Sequence, residues 1–147
     1  MRTRLGVRLA LGLALVCLLG AACSHGYGGS DRPTPPPSGA LGPVTQDAAD
    51  EAIAGLCEIS AEHTDDLNAA SEVFFDRSHE ELHVIAAAAE VTDRSAAGAV
   101  LESKQIVEAD LASDELPEGF GADVDALIAA TQTALGAIGV EAASCRS

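Results

Sequence analysis

The sequence predicts an all-α domain, an up-and-down four-helix bundle that follows a disordered tether rich in Pro and Gly. Hydrophobic residues make up 48% of the 147-residue chain, which is too many for a disordered acidic chain. From Val44 onward, apolar residues recur at helical spacing in four stretches, and no stretch predicts a strand. Short polar breaks separate the stretches, and short connections favour antiparallel neighbours.

The first two helices are expected at about 46–68 and 71–91. Each has one face of apolar and small residues at intervals of three and four, which is the pattern of a helix packed on a core. The expected inward positions are Ile53, Leu56, Cys57, Ser60, Thr64 and Leu67 in the first helix, and Phe75, Ser78, Leu82, Ile85, Ala86 and Ala89 in the second.

The last two helices are expected at about 96–112 and 122–138. Asp93 or Ser95 is expected to cap the first of them, and Gly139 suits the left-handed residue that ends the second. The loop between these helices is indicated by Pro and Gly at 116–121. The expected inward positions are Ala97, Val100, Leu101, Val107 and Leu111, followed by Val124, Leu127, Ile128, Leu135 and Ile138.

The N-terminus has the organisation of an export signal. Three Arg lie within residues 1–8, and residues 9–22 form an apolar run too short to span a bilayer. The run ends in Leu18-Leu19-Gly20-Ala21-Ala22-Cys23, which resembles the lipobox of bacterial lipoproteins. This chain has Gly at the position three before the Cys, where the family usually has Leu.

The resemblance implies that residues 1–22 are a cleaved signal peptide and that Cys23 is acylated. The protein would then be anchored in the cell membrane by its lipid, on the extracytoplasmic face. The alternative is an ordinary secretory signal cut after Ala22, which would release a soluble protein. The chain as a whole resembles small bacterial lipoproteins of unassigned activity.

The cysteine count favours lipidation. Cys17 leaves with the signal, so Cys23, Cys57 and Cys145 remain. If Cys23 carries lipid, Cys57 and Cys145 can form a disulfide in an oxidising compartment. Residues 23–44 are expected to be a flexible tether rich in Gly and Pro, and residues 45–147 the helical bundle.

The charge balance excludes several function classes. The chain has 8 basic and 23 acidic residues, a formal charge of −15. Removal of the three Arg of the signal leaves five basic residues and a charge of −18. A nucleic-acid site needs a basic patch, and anionic lipid attracts basic segments. We therefore expect no nucleic-acid partner, and membrane contact through the lipid alone.

Residues 79–83 match the HExxH motif of zinc metalloproteases, in which two His bind zinc and the Glu is the general base. The resemblance would make His79 and His83 ligands and Glu80 the base. No third ligand follows at the spacing of the family, and no strand is predicted to hold a peptide. We interpret the match as coincidental.

The same helix predicts a different kind of site. On a helical wheel Glu72, Asp76, His79 and His83 fall on one strip beside the apolar face. Two imidazoles and two carboxylates suit Zn²⁺ or Cu²⁺, with a further ligand from a neighbouring helix. His63 of the first helix could approach this region. The alternative is that the carboxylates only orient the two His on a half-exposed flank.

Lys104, the only Lys, lies on the inward stripe of the third predicted helix. We expect its stem to be packed and its ammonium to pair with Glu108 or with the acidic strip. No catalytic constellation is evident, so the first hypothesis is a non-enzymatic binding or interaction module. The alternatives are a Zn- or Cu-binding lipoprotein and a small zincin-like protease. An apolar cleft would favour a small ligand, and an exposed apolar helix face a protein partner.

Overall fold

The computed structural model describes residues 34–145, which confirm the all-α fold class. Within these residues α2, a π-helical turn and α3 follow one another without a break, so that there are four helical stretches. The elements in chain order are β1 (Ser38–Gly39), β2 (Gly42–Pro43), α1 (Gln46–Glu62), α2 (Leu67–Val73), the π turn (Phe74–Ser78), α3 (His79–Ala89), α4 (Arg94–Leu111) and α5 (Phe120–Ala137).

The first helical stretch ends earlier than predicted, and the second begins earlier. His63 leaves the helical region with φ of −129°. The Asp66 carboxylate then accepts hydrogen bonds from the backbone N–H groups of Asn68 and Ala69, which makes it the cap of a new helix. Thr64, predicted to face inward, lies in this break and is exposed.

The ends of the last two helices agree with the sequence to within two residues. The Asp93 carboxylate accepts from the backbone N–H of Ala96 at 3.0 Å, so Asp93 rather than Ser95 caps α4. Gly139 follows α5 with φ of 74°, which is the left-handed conformation predicted for it.

The π turn reverses the prediction for the two adjacent phenylalanines. Phe74 is fully buried, whereas Phe75, predicted to face inward, is 51% exposed. A π turn holds one more residue than an α-helical turn and so rotates the faces on either side of it. The Ser78 hydroxyl donates to the Ala52 carbonyl of α1 at 2.9 Å, and a Cβ on Gly55 would lie only 2.6 Å from the Ser78 oxygen.

Ion pairs stabilise the exposed side of the contact between the π turn and α1. The Arg77 guanidinium donates to the carboxylates of Glu51 and Glu58, both on α1. The turn is thus joined to α1 by one buried hydroxyl and one half-buried cation.

The core lies between all four helical stretches. Leu101, predicted to face inward, is 45% exposed and lies outside it. The largest fully buried side chains are Phe74, Phe120, Ile53, Leu56, Ile59, Leu82, Ile85, Leu127, Leu135, Val44, Val100 and Val107.

The end of the expected tether packs on the helices. β1 and β2 pair antiparallel, and the N–H of Val44 donates to the Pro37 carbonyl at 2.7 Å. A Cβ on Gly39 would lie 2.4 Å from the Ala87 carbonyl carbon of α3, so only Gly permits this approach. A strand pair therefore exists where none was predicted, because its pairing depends on the surface of α3.

The predicted signal peptide, Cys23 and the first part of the tether lie outside the described residues. Among residues 34–145, no helix combines the length and the apolar character needed to cross a membrane.

The predicted disulfide is present, and it joins Cys57 on α1 to Cys145 in the C-terminal segment. Its loop of 88 residues corresponds to about 4–5 kcal/mol in the chain-entropy model. The Gln46 amide donates to the Glu141 carbonyl at 2.7 Å, and the Gln132 amide to the Ala143 carbonyl at 2.9 Å. The segment after α5 is therefore fixed against α1 and α5.

The π turn predicts unequal losses of stability on substitution of two adjacent phenylalanines. Phe74→Ala empties a fully buried site and is expected to lower the free energy of unfolding by about 3–5 kcal/mol. Phe75→Ala removes a half-exposed ring and is expected to lower it by less than about 1 kcal/mol. Urea unfolding of both variants measures the difference. A larger loss in Phe75→Ala would contradict the observed register.

Candidate functional site

The most distinctive surface feature is a groove of about 290 Å³ between α3, α4 and the β1–β2 turn. This volume is near the lower limit for sites that bind small molecules. Three polar side chains line it, His83, Glu90 and Arg94. The remaining lining residues are apolar or small: Leu41, Ala86, Ala87, Ala97, Gly98 and Leu101.

The groove is open because small residues line part of it, and two leucines border it. Ala87 of α3 and Gly98 of α4 fill little of the space between the helices. A Cβ on Gly98 would meet no atom of residues 34–145 within 4 Å. Leu41 and Leu101 are 61% and 45% exposed, although each borders the groove. Exposed apolar surface gathered in a concave site is typical of ligand binding.

A larger cleft of about 570 Å³ lies elsewhere on the surface, between the loop that joins α1 to α2 and the loop that joins α4 to α5. Four carboxylates line it, those of Asp65, Asp114, Glu115 and Glu118. Loop carboxylates of this kind are typical of a solvated acidic surface, so size alone does not make this cleft the candidate site.

The groove ends in a cluster of polar side chains. The rings of His83 and His79 meet edge to face with centroids 5.2 Å apart. His79 Nε2 lies 2.8 Å from Glu108 Oε1. The Lys104 ammonium donates to the same oxygen at 2.7 Å, and Lys104 is only 3% exposed. The predicted pairing of Lys104 with Glu108 is confirmed.

The charges in this cluster shift two pKa values. Burial lowers the pKa of His83, and the charges of Lys104 and His79 lower it further against the opposing effect of Glu108. Burial opposes ionisation of Glu108, but hydrogen bonds and charges from Lys104 and His79 outweigh it and lower the pKa of that carboxyl. At pH 7, therefore, Glu108 is ionised and His83 is mainly neutral.

The predicted metal strip comes together only in part. His79 and His83 are adjacent, but Glu72 and Asp76 are exposed, and no hydrogen bond or ion pair in 34–145 joins either carboxylate to an imidazole. The helical wheel assumed 3.6 residues per turn, which the π turn between these residues does not have. His63 lies instead at the end of α1, with its Nε2 3.7 Å from a carboxylate oxygen of Glu58.

In this cluster the positive group that pairs with the Glu108 carboxylate is the ammonium of Lys104. Across the described part of the chain, no group of three or more His, Cys, Asp or Glu side chains is arranged to hold a metal ion. Glu80, the general base in the HExxH resemblance, is exposed. Burial and the charge of Glu80 raise the pKa of Glu81.

Sequence reasoning missed the groove because its residues come from separate elements. Leu41 lies in the expected tether, where a large apolar residue has nothing local to pack on. Gly98 did give a signal, since Gly within a helix costs about 1 kcal/mol relative to Ala and its presence points to a packing or functional reason. Glu108 was named only as one of two partners for Lys104.

No protein-family model matches this chain, and neither a curated protein nor a solved structure is significantly similar to it.

The buried cation predicts unequal costs for two substitutions in one ion pair. Glu108→Gln leaves the buried Lys104 ammonium without its anion and is expected to cost about 2–4 kcal/mol of the free energy of unfolding. Lys104→Met keeps the packing and leaves Glu108, one-third exposed, with solvent and His79. It is expected to cost about 1 kcal/mol or less. Chemical unfolding compares the two, and equal losses would contradict the asymmetry.

Proposed function

We propose that this protein is a bacterial cell-envelope lipoprotein whose helical domain is a non-enzymatic binding module for a small, mainly apolar ligand. The observation that carries this proposal is the groove between α3, α4 and the β1–β2 turn. A concave apolar site favours a small ligand over a protein partner. Among residues 34–145, the exposed large apolar residues Phe75, Val91 and Ile106 lie outside the groove.

The scaffold that we propose for the groove is an up-and-down bundle. Its support is the short connections and the pairing of residues across them. His79 faces Glu108, and Ala52 faces Ser78, as antiparallel neighbours require. Distances measured between spin labels at the helix ends would contradict this order if sequential helices ran parallel.

The proposal of lipid anchoring is supported by the cysteine chemistry. The Cys57–Cys145 disulfide suits an oxidising compartment outside the cytoplasm. It also leaves Cys23, at the end of the lipobox-like segment, for the acyl group.

Lipid anchoring predicts that fatty-acid labelling depends on Cys23. The full-length chain, expressed in a bacterium and fed radiolabelled palmitate, is expected to become labelled and to fractionate with membranes. Cys23→Ser is expected to lose both properties, because the thiol that accepts the acyl chain is gone. Cys17→Ser is the control, as this residue leaves with the signal. Labelling that persists in Cys23→Ser would contradict the assignment.

The binding function predicts that filling the groove weakens binding. An uncharged phenylnaphthylamine dye, which fluoresces in apolar surroundings, is the probe. Gly98→Leu places a side chain in the open groove and is expected to weaken dye binding at least about tenfold, a change of about 1.4 kcal/mol. Fluorescence titration of the full chain measures the affinity.

The matched control is Gly136→Leu. Gly136 is also an exposed helical Gly, and in the described part of the chain no atom lies within 4 Å of its Cβ position. It lies on α5 and does not line the groove. Both substitutions gain similar helix propensity, so differences in stability largely cancel. Equal dye binding by the two variants, or no binding by the wild type, would contradict the proposed function.

A further inference from the structure

We propose that the groove binds a single-chain fatty carboxylate as a free monomer, with the acyl chain between α3 and α4 and the carboxylate at His83, backed by Lys104. This inference rests on the proposed binding function and adds the chemical class of the ligand.

The groove suits one unbranched chain. On α3 its lining runs from His83 to Glu90, a length of about 10 Å at 1.5 Å per helical residue. Between these ends the walls are Ala86 and Ala87 on one side and Ala97 and Leu101 on the other. A narrow apolar slot between two helices therefore leads from one polar end to the other.

The polar end at His83 has unused hydrogen-bonding capacity. An ammonium has three N–H donors. In the described residues Lys104 makes one side-chain hydrogen bond, to Glu108 Oε1, although the residue is only 3% exposed. Lys104 lies behind the groove lining, but its charge acts on His83. A carboxylate beside His83 would therefore be attracted by this cation, and the neutral imidazole has an N–H to donate.

The opposite end of the groove is less suited to an anion. Arg94 is exposed, so solvent and salt screen its charge, and the Glu90 carboxylate lines the same end. Lys104 is buried, where a charge acts more strongly. Glu108 offsets part of this charge, so we expect a moderate preference for the anionic head group rather than an absolute one.

The charge of the protein also favours a free monomeric ligand over lipid that lies in a membrane surface. Without the three Arg of the signal the chain has a formal charge of −18, so its acidic surface is repelled more strongly by a layer of many anionic lipid head groups than by a single carboxylate. A single fatty acid monomer can enter the groove without bringing that surface close to a bilayer.

Three ligands with the same chain and different head groups test the class. Decanoate, decanol and decyltrimethylammonium, each kept below its micelle concentration, compete with the dye on the wild-type chain. Decanoate is expected to bind about tenfold more tightly than decanol, and the cationic ligand more weakly than either. Decanol binding as tightly as decanoate would overturn the ligand class but leave the proposed function intact, because the groove would still bind the chain.

A charge-neutral double variant tests the position of the head group. Lys104→Met with Glu108→Gln removes one charge of each sign, so the net charge is unchanged. Decanoate is expected to lose its tenfold advantage, while decanol binding changes less than about twofold. His63→Gln, a substitution far from the groove, is expected to keep the advantage. Circular dichroism checks that each variant is folded.

The remaining outcomes also decide the question. If Arg94→Gln removes the preference for decanoate and the double variant keeps it, the carboxylate lies at the other end and the proposal is overturned. If the double variant does not fold, the comparison of decanoate with decanol on the wild type still decides the ligand class. If neither ligand displaces dye that does bind, the dye occupies another surface and this inference fails.

Discussion

The hydrogen bond from the Ser78 hydroxyl to the Ala52 carbonyl determines which way α3 faces. It forms where Gly55 lets the two helices touch. Ser78 lies in the π turn, which also buries Phe74. The same rotation directs His79 to Glu108 on α4. A buried hydroxyl with a partner is inexpensive, whereas one without a partner is not, so this contact favours a single register over its neighbours.

The seam between α3 and α4 combines two kinds of contact. At one end His79 of α3 and Lys104 of α4 both bond one oxygen of Glu108, and the contact with His79 joins the two helices. At the other end Ala and Gly leave a hollow that a larger side chain would close. This seam buries less apolar surface than a fully packed one would. The polar contacts at one end nevertheless hold the open groove in a defined shape.

Local signals predicted much of the fold, and tertiary contacts account for the rest. Asp93, Gly139 and the Cys57–Cys145 pair were predicted correctly, because caps and disulfide pairing follow from residue chemistry. The inward orientation predicted for Phe75 was wrong, and the predicted metal strip comes together only in part. Both predictions assumed an unbroken α-helical period through the π turn. The groove depends on chain segments that meet only in the folded molecule.

The disulfide between α1 and the C-terminal segment also changes the effect of proteolytic cleavage of the backbone. Residues 112–119 form a largely exposed connection between α4 and α5, the kind of site that proteases nick first. Because this connection lies between Cys57 and Cys145, a single cleavage there leaves both fragments covalently joined. Helix α5 would stay at high local concentration beside α1 and α4. The domain can therefore survive, as a two-chain molecule, damage that would otherwise release one of its four helical stretches.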